Sequence, residues 1–381
     1  MKVGVIGAGR LGICFALLLE KAGYEVIASD VREDYVASLN DGSIQTNEPL
    51  VQAMLSKAKN FRATTDNIEV VRECDLIFTL VATPSLPDGS YDVSCVWQVV
   101  KDIQEANIPV HGKSFVVGCT TNPGDCDNFQ AQLNAYGIDV YYNPEFIAQG
   151  SIIKDLQRAD MVLIGGPKGK HKQDLIDIYH KIQTTPVKVN FMSPKAAEIV
   201  KLAVNCYLTT KISYANMVGE VLTLSGLEDE IKPVLKAIGE DTRVGSRYLN
   251  YGYGYGGPCL PRDNRSFGAY AQKLGLKYNL GLTIDNFNNE HAEFLKNYFI
   301  QKNEKNLPFC FHYITYKEGT DILTESQQYR LCYDLIGANY KVYVVDYDMI
   351  DIKVREKMEK LYGSDRIVFG IPNEEVFWIE L

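Results

Sequence analysis

The chain has 381 residues, of which 46% are hydrophobic and 23% charged, and its net charge is −9. That length supplies core for two or three domains, and the balance excludes a disordered chain. The acidity argues against nucleic acid or an anionic membrane as partner, and no apolar run approaches the roughly 20 residues of a membrane span.

Met1-Lys2 run straight into Val3-Gly4-Val5-Ile6, which reads as a first strand, with no signal-peptide pattern. Glu25–Ser29, Leu76–Val81, Phe115–Cys119, Val140–Tyr142 and Met161–Gly165 also read as buried parallel strands. Helical stretches such as Leu11–Ala22 separate most of them, so an α/β doubly wound, Rossmann-like sheet is expected over residues 1–192. From Pro194 the rhythm changes. Lys195–Val218 contains no further proline or glycine and predicts one long helix, about 25–30 residues, opening a central helical domain over 193–299. Strands return in Phe309–Tyr316, Lys341–Asp346 and Arg366–Phe369, which predicts a smaller C-terminal α/β domain over 300–381.

Gly7-Ala8-Gly9-Arg10-Leu11-Gly12 follows the first strand and opens a helix. Gly7 permits the tight turn, Gly9 lets a pyrophosphate approach, and Gly12 lets the helix pack on the sheet. The amides of Arg10 and Leu11 then face the phosphates. Asp30 ends the second strand, where an acid accepts hydrogen bonds from the adenosine ribose and repels a 2′-phosphate. This pattern favours NAD over NADP; Arg32, close by, weakens the preference.

Nine cysteines are scattered singly among five distant histidines, with no CxxC pair and no metal-ligand cluster. A reducing cytoplasm without structural metal or disulfide scaffold is the expectation. Cys14, Cys74, Cys95, Cys206, Cys310 and Cys332 read as buried and inert. Cys259 differs. It stands in Gly252-Tyr253-Gly254-Tyr255-Gly256-Gly257-Pro258-Cys259-Leu260-Pro261-Arg262-Asp263, just before a helix whose N-terminus would favour a thiolate. On the long helix, Lys201 and Asn205 lie four residues apart and share a face.

With this motif go Leu39-Asn40-Asp41-Gly42, Asn47-Glu48-Pro49, Ala82-Thr83-Pro84-Ser85, Asp88-Gly89, Asn143-Pro144-Glu145-Phe146, the helix segment Ala197–Asn205 and Asp241-Thr242-Arg243-Val244-Gly245. Together they make the chain resemble the UDP-glucose/GDP-mannose dehydrogenase family over nearly its whole length, most of all the members acting on UDP-glucose. The resemblance implies oxidation of a sugar C6 alcohol to a carboxylate with two NAD molecules in turn. Cys259 would carry the aldehyde as a thiohemiacetal and then as a thioester. Lys201 and Asn205 would stabilise charge on the C6 oxygen, while Asp263, Thr120 and Glu145 would handle water. Thr83 and Thr120 would join the cofactor contacts. Phe146, Lys154, Lys201, Asn205, Tyr248, Tyr253, Gly256 and Lys317 would contact the nucleotide sugar, and Arg243 would reach it in a neighbouring subunit. A homodimer through the long helix is also implied.

The chain departs from the family's pattern at several positions. Gln149 stands where a glutamate is usual, Met161 and Thr324 where arginines are, and Tyr313 where glycine is common. Three other readings stay open. They are a related dehydrogenase acting on a UDP-N-acetylhexosamine or GDP-mannose, a two-electron β-hydroxyacid dehydrogenase, and a nucleotide-binding chain without turnover.

Overall fold

The computed structural model describes residues 1–106, 108–147 and 150–381, so Gln149 lies outside the described residues. The chain divides into two compact units, Met1–Lys201 and Leu202–Leu381, and the division falls inside the long helix.

The first unit alternates strands and helices: β1 (Lys2–Ile6), α1 (Arg10–Lys21), β2 (Glu25–Ser29), α2 (Glu33–Asp41), α3 (Val51–Leu55) and β3 (Phe61–Thr64). There follow α4 (Asn67–Glu73), β4 (Leu76–Thr79), α5 (Ser94–Glu105), β5 (Ser114–Val117), α6 (Asp125–Leu133) and β6 (Asp139–Tyr142). The unit closes with α7 (Ile152–Leu156), β7 (Met161–Gly165), α8 (His171–Ile182), β8 (Lys188–Met192) and the start of α9 (Pro194–Leu224). The eight strands lie in the order β3-β2-β1-β4-β5-β6-β7-β8. The order reverses direction at β1 and β4, which leaves a crevice at their carboxyl ends, the usual place for a dinucleotide.

Short Val/Ile-rich runs such as Val3–Ile6 and Leu76–Thr79 are fully buried because helices cover both faces of a parallel sheet. Two strands, β3 and β8, escaped the sequence reading because they are only partly buried and carry charged or polar residues. Met161–Gly165 was expected to be parallel to its neighbours. It pairs parallel with β8 but meets β6 antiparallel, at Tyr142 and Gly165.

The second unit contains the rest of α9, then α10 (Ile231–Glu240), α11 (Leu260–Lys273) and α12 (Leu280–Lys302). Its small sheet is built from β9 (Phe309–Phe311), α13 (Gln327–Gly337), β10 (Val342–Val344), α14 (Ile352–Tyr362), β11 (Ile367–Phe369) and β12 (Phe377–Trp378). Four parallel strands run in the order β11-β10-β9-β12. They bury Phe309, Phe311, Val342 and Val344 against Leu331, Leu335 and Leu295. The strand expected over Phe309–Tyr316 stops at Phe311, beyond which Ser326 Oγ donates to the Ile314 carbonyl and holds the chain as a loop. Among the described residues no helix is long and apolar enough to cross a membrane.

Candidate active site

In the first unit the expected cofactor residues gather at the carboxyl ends of adjacent strands. Gly7 follows β1, Asp30 follows β2, Thr83 lies beyond β4 and Thr120 beyond β5. Gly7 has φ +94°, and a Cβ there would lie 2.7 Å from the Leu80 carbonyl oxygen. A Cβ on Gly12 would lie 1.9 Å from the Gly7 carbonyl oxygen, so both positions require glycine for packing alone. Gly9 is different, because a Cβ there would meet nothing within 4 Å. Gly9 is also the N-cap of α1 and supplies no capping side chain to the first-turn amides of Arg10 and Leu11. Those amides and the α1 dipole suit a pyrophosphate. Asp30 is held in a two-pronged ion pair, with Arg32 Nε 2.8 Å from Oδ1 and Nη2 2.9 Å from Oδ2, and the guanidinium lies over the Tyr35 ring.

Three further groups surround the end of this unit's share of α9. Lys201, 7% exposed, donates to the Glu145 carbonyl at 2.9 Å and stands 4.8 Å above the Phe146 ring. Glu145 turns its carboxyl to Tyr179, whose hydroxyl is 2.6 Å from Oε1. Burial pushes this carboxyl up to about 7, against the opposing pull of the Tyr179 hydrogen bond and the Lys201 charge. Glu198, one turn before Lys201, is wholly buried. It accepts from Thr121 Oγ1 at 2.9 Å, from Gly124 N at 2.6 Å and from Cys126 N at 2.9 Å. It therefore caps α6 from outside, since the N-cap residue Gly124 has no side chain, and it braces the loop that carries Thr120. Burial raises this carboxyl to about 7 as well. Lys154, on α7, is exposed.

In the second unit Cys259 is the N-cap of α11 and is exposed, with Pro261 in the first turn. Asp263, 1% exposed, accepts a hydrogen bond from Asn205 Nδ2 on α9. The glycine-rich loop before the cysteine is clamped. Asn288 on α12 accepts from the Tyr255 amide at 2.9 Å and donates to its carbonyl at 3.0 Å. The His291 ring and the Asn216 carbonyl oxygen hold Gly252. The glycines are needed for this packing. A Cβ on Gly256 would lie 2.3 Å from the Glu325 carbonyl oxygen, and one on Gly257 2.5 Å from Tyr316. Glycine at these two positions therefore lets the protein's own chain come close.

The remaining expected contacts are less gathered. Tyr253 packs against the small-sheet core, beside Tyr313 and Cys332. Tyr248 is exposed with φ +62°, Lys317 is exposed in a turn, and Arg243 is paired with Asp241 at the surface. Thr324 is exposed and precedes Glu325, which pairs with Arg265. One cysteine expectation fails: Cys95 sits in the first turn of α5 and is exposed. Burial pushes the thiols of Cys14, Cys74 and Cys206 up to about 12. Among the described residues no group of His, Cys, Asp or Glu could hold a metal ion.

Residues 1–183 match the NAD binding domain of the UDP-glucose/GDP-mannose dehydrogenase family, and residues 195–290 match its central domain. The chain belongs to that family. UDP-glucose 6-dehydrogenase AglM of Haloferax volcanii is 28% identical across 98% of this chain and 90% of its own length. GDP-mannose 6-dehydrogenase of Pseudomonas aeruginosa is 27% identical, covering 91% and 81%. Among solved structures, a UDP-glucose dehydrogenase from Pyrobaculum islandicum superposes with a TM-score of 0.82 at 27% identity, covering 97% of this chain and 86% of that one. As a member of the UDP-glucose/GDP-mannose dehydrogenase family the chain is a dehydrogenase whose cofactor is NAD, and the open, uncapped turn at Gly9 fits it.

Sequence reasoning missed Tyr179, Asn288 and His291, and quoted Glu198 without a role. Glu198 had a readable signal. Together with Lys201, Asn205 and Thr209 it forms a polar stripe at three- and four-residue spacing along α9, and all four are buried.

Proposed function

We propose that the chain is a UDP-glucose 6-dehydrogenase that oxidises the C6 alcohol through to the carboxylate. The observation that carries this reading is Cys259, an exposed thiol at the N-terminus of α11, followed one turn later by the buried Asp263. A two-electron alcohol dehydrogenase has no use for a presented thiol. The choice of UDP-glucose over GDP-mannose is supported by the solved UDP-glucose dehydrogenase, with its TM-score of 0.82 at 27% identity; the two curated relatives, at 28% and 27% identity, stand on either side of that choice.

The Gly9 turn and the Asp30 carboxylate would hold NAD, and two NAD molecules bound in turn would each supply the acceptor for one hydride. The chain's own residues do the rest. Lys201 and Asn205 donate to the C6 oxygen and stabilise the alkoxide left when the hydroxyl proton passes to solvent, and the first hydride leaves from its carbon to give the aldehyde. The Cys259 thiolate adds to the aldehyde carbon, and the alkoxide formed takes a proton, giving a thiohemiacetal. Loss of the second hydride and of the hydroxyl proton leaves a thioester. Water then adds to the thioester carbon, Glu145 takes the water's proton, and the thiolate departs as the carboxylate product forms. Thr120 and Asp263 orient that water. Phe146, Lys154, Tyr248, Tyr253, Gly256 and Lys317 are assigned to the nucleotide sugar.

The chain pairs with a second copy through α9, and Arg243 reaches the partner's sugar. An exposed stripe of Tyr207, Tyr214, Met217, Val221 and Leu224 supports this, with Leu224 78% exposed. Val221→Asp should convert a dimer to a monomer in sedimentation velocity, and an unchanged dimer would remove α9 from the interface.

The test of the activity is NADH yield and product mass with UDP-glucose, GDP-mannose and a UDP-N-acetylhexosamine as separate substrates. Two NADH per UDP-glucose and a uronate product are expected. Turnover of GDP-mannose alone would move the chain to the other branch of its family. One NADH per substrate, with a Cys259→Ser variant fully active, would favour a two-electron hydroxyacid dehydrogenase. Calorimetric binding of NAD and sugar without any NADH would mark a binding protein.

A further inference from the structure

Tyr179, on α8, faces two acceptors at once. Its hydroxyl oxygen is 2.6 Å from Glu145 Oε1 and 2.7 Å from Asn143 Oδ1. The Asn143 amide is fixed, because its Nδ2 donates to the Leu163 carbonyl on β7 at 2.9 Å, so the atom turned to Tyr179 is the oxygen. Tyr179 and Asn143 are both about 2% exposed, so neither faces bulk solvent. A phenol has one proton and can satisfy only one of the two acceptors. With Glu145 ionised, the proton goes to the carboxylate and the Asn143 oxygen is left unpaired on that side. With Glu145 protonated, its O–H donates to the phenol oxygen and the phenol donates to Asn143, so both contacts are paired. The three-residue chain is thus complete only when it holds one extra proton.

We propose that Asn143, Tyr179 and Glu145 form a reversible proton store, in which Tyr179 swings its one hydroxyl proton from Glu145 to Asn143 whenever Glu145 gains a proton. The inference rests on the reading of Glu145 as the group that takes a proton from the attacking water. That proton ends on Glu145 Oε1, the phenol keeps its own, and release to solvent restores the starting state without any oxidant or reductant. Two titratable groups act on the Glu145 carboxyl among the described residues, the Tyr179 phenol on α8 and the Lys201 ammonium on α9. Lys201 favours the ionised form, so the store is opposed by a fixed charge and emptied readily. The upward displacement of Glu145 to about 7 agrees with a group poised between the two states. Tyr179 and Asn143 are positioning residues here, acting on substrate only through Glu145.

The test is infrared titration of the chain without cofactor or sugar. The Glu145 carboxyl band is assigned by its loss in Glu145→Gln, and the Tyr179 C–O band by its loss in Tyr179→Phe. In the unaltered chain the two bands should change at one midpoint, since the phenol turns from one acceptor to the other as the carboxyl titrates. Tyr179→Phe removes the donor to the carboxylate and should raise the Glu145 midpoint by about one pH unit. Asn143→Leu removes the acceptor used in the protonated state and should lower it by about as much. Opposite shifts cannot come from a general loosening of the fold. A Tyr179 band insensitive to pH, or shifts of one sign in both variants, overturns the store. If Asn143→Leu fails to fold by circular dichroism, the paired bands of the unaltered chain decide alone. Paired bands in a chain that oxidises no nucleotide sugar would refute the functional reading and leave the store standing. Full turnover with unlinked bands would do the reverse.

Discussion

Glu145 and Asp263 are both carboxyls assigned to water, yet their partners differ in kind. Glu145 faces a phenol that can give or receive a proton, whereas Asp263 faces the Asn205 amide nitrogen, which can only donate. The contrast teaches that two like groups acquire different work from what a hydrogen-bonding neighbour can give and receive. The first suits a group that changes protonation in each cycle; the second suits one held in a fixed orientation.

The sharpest way to break this contrast is to remove the chemistry that both serve. Cys259→Ser should lower four-electron turnover by about 10³-fold or more, measured as uronate formed per minute, because an alkoxide ester replaces the thioester. Next come the carboxyls themselves. Asp263→Asn and Glu145→Gln should each cost about 10²–10³-fold in kcat. Only Glu145→Gln should erase the limb of the pH–rate profile near 7, where activity rises as Glu145 ionises. Equal pH profiles in the two variants would dissolve the distinction.

A smaller effect tests the cofactor turn. Asp30→Ala should weaken NAD binding by about 10-fold in calorimetry and free Arg32, so that NADP gains relative to NAD. The smallest effect is on stability. Glu145 and Glu198 have folded values near 7, above the ordinary 4.5, so between these the folded chain holds protons the unfolded chain has lost. Stability therefore falls as pH rises through this window. Tm should be about 2–4 °C lower at pH 8 than at pH 6, and Glu198→Gln should shrink the difference.

Much of the fold was legible because its signals are local. The glycine fingerprint, the apolar strands and the uninterrupted run after Pro194 each depend on residues near in sequence. The single antiparallel contact of Met161–Gly165 was not, because a buried apolar run carries no mark of its partner's direction. In the same way, Glu145 stands out in the sequence because it sits in a motif, while Tyr179 was hidden in an ordinary amphipathic helix and gains meaning only through contact with Asn143 and Glu145. The glycines before Cys259 show the converse. The sequence made them conspicuous, but the reason for Gly256 and Gly257 is the approach of Glu325 and Tyr316, far along the chain.

The most direct test of the central claim is the stoichiometry of a limiting amount of UDP-glucose with excess NAD. The account requires two NADH for each UDP-glucose consumed and UDP-glucuronate as the product by mass. One NADH per sugar, with a carbonyl product remaining, would contradict it.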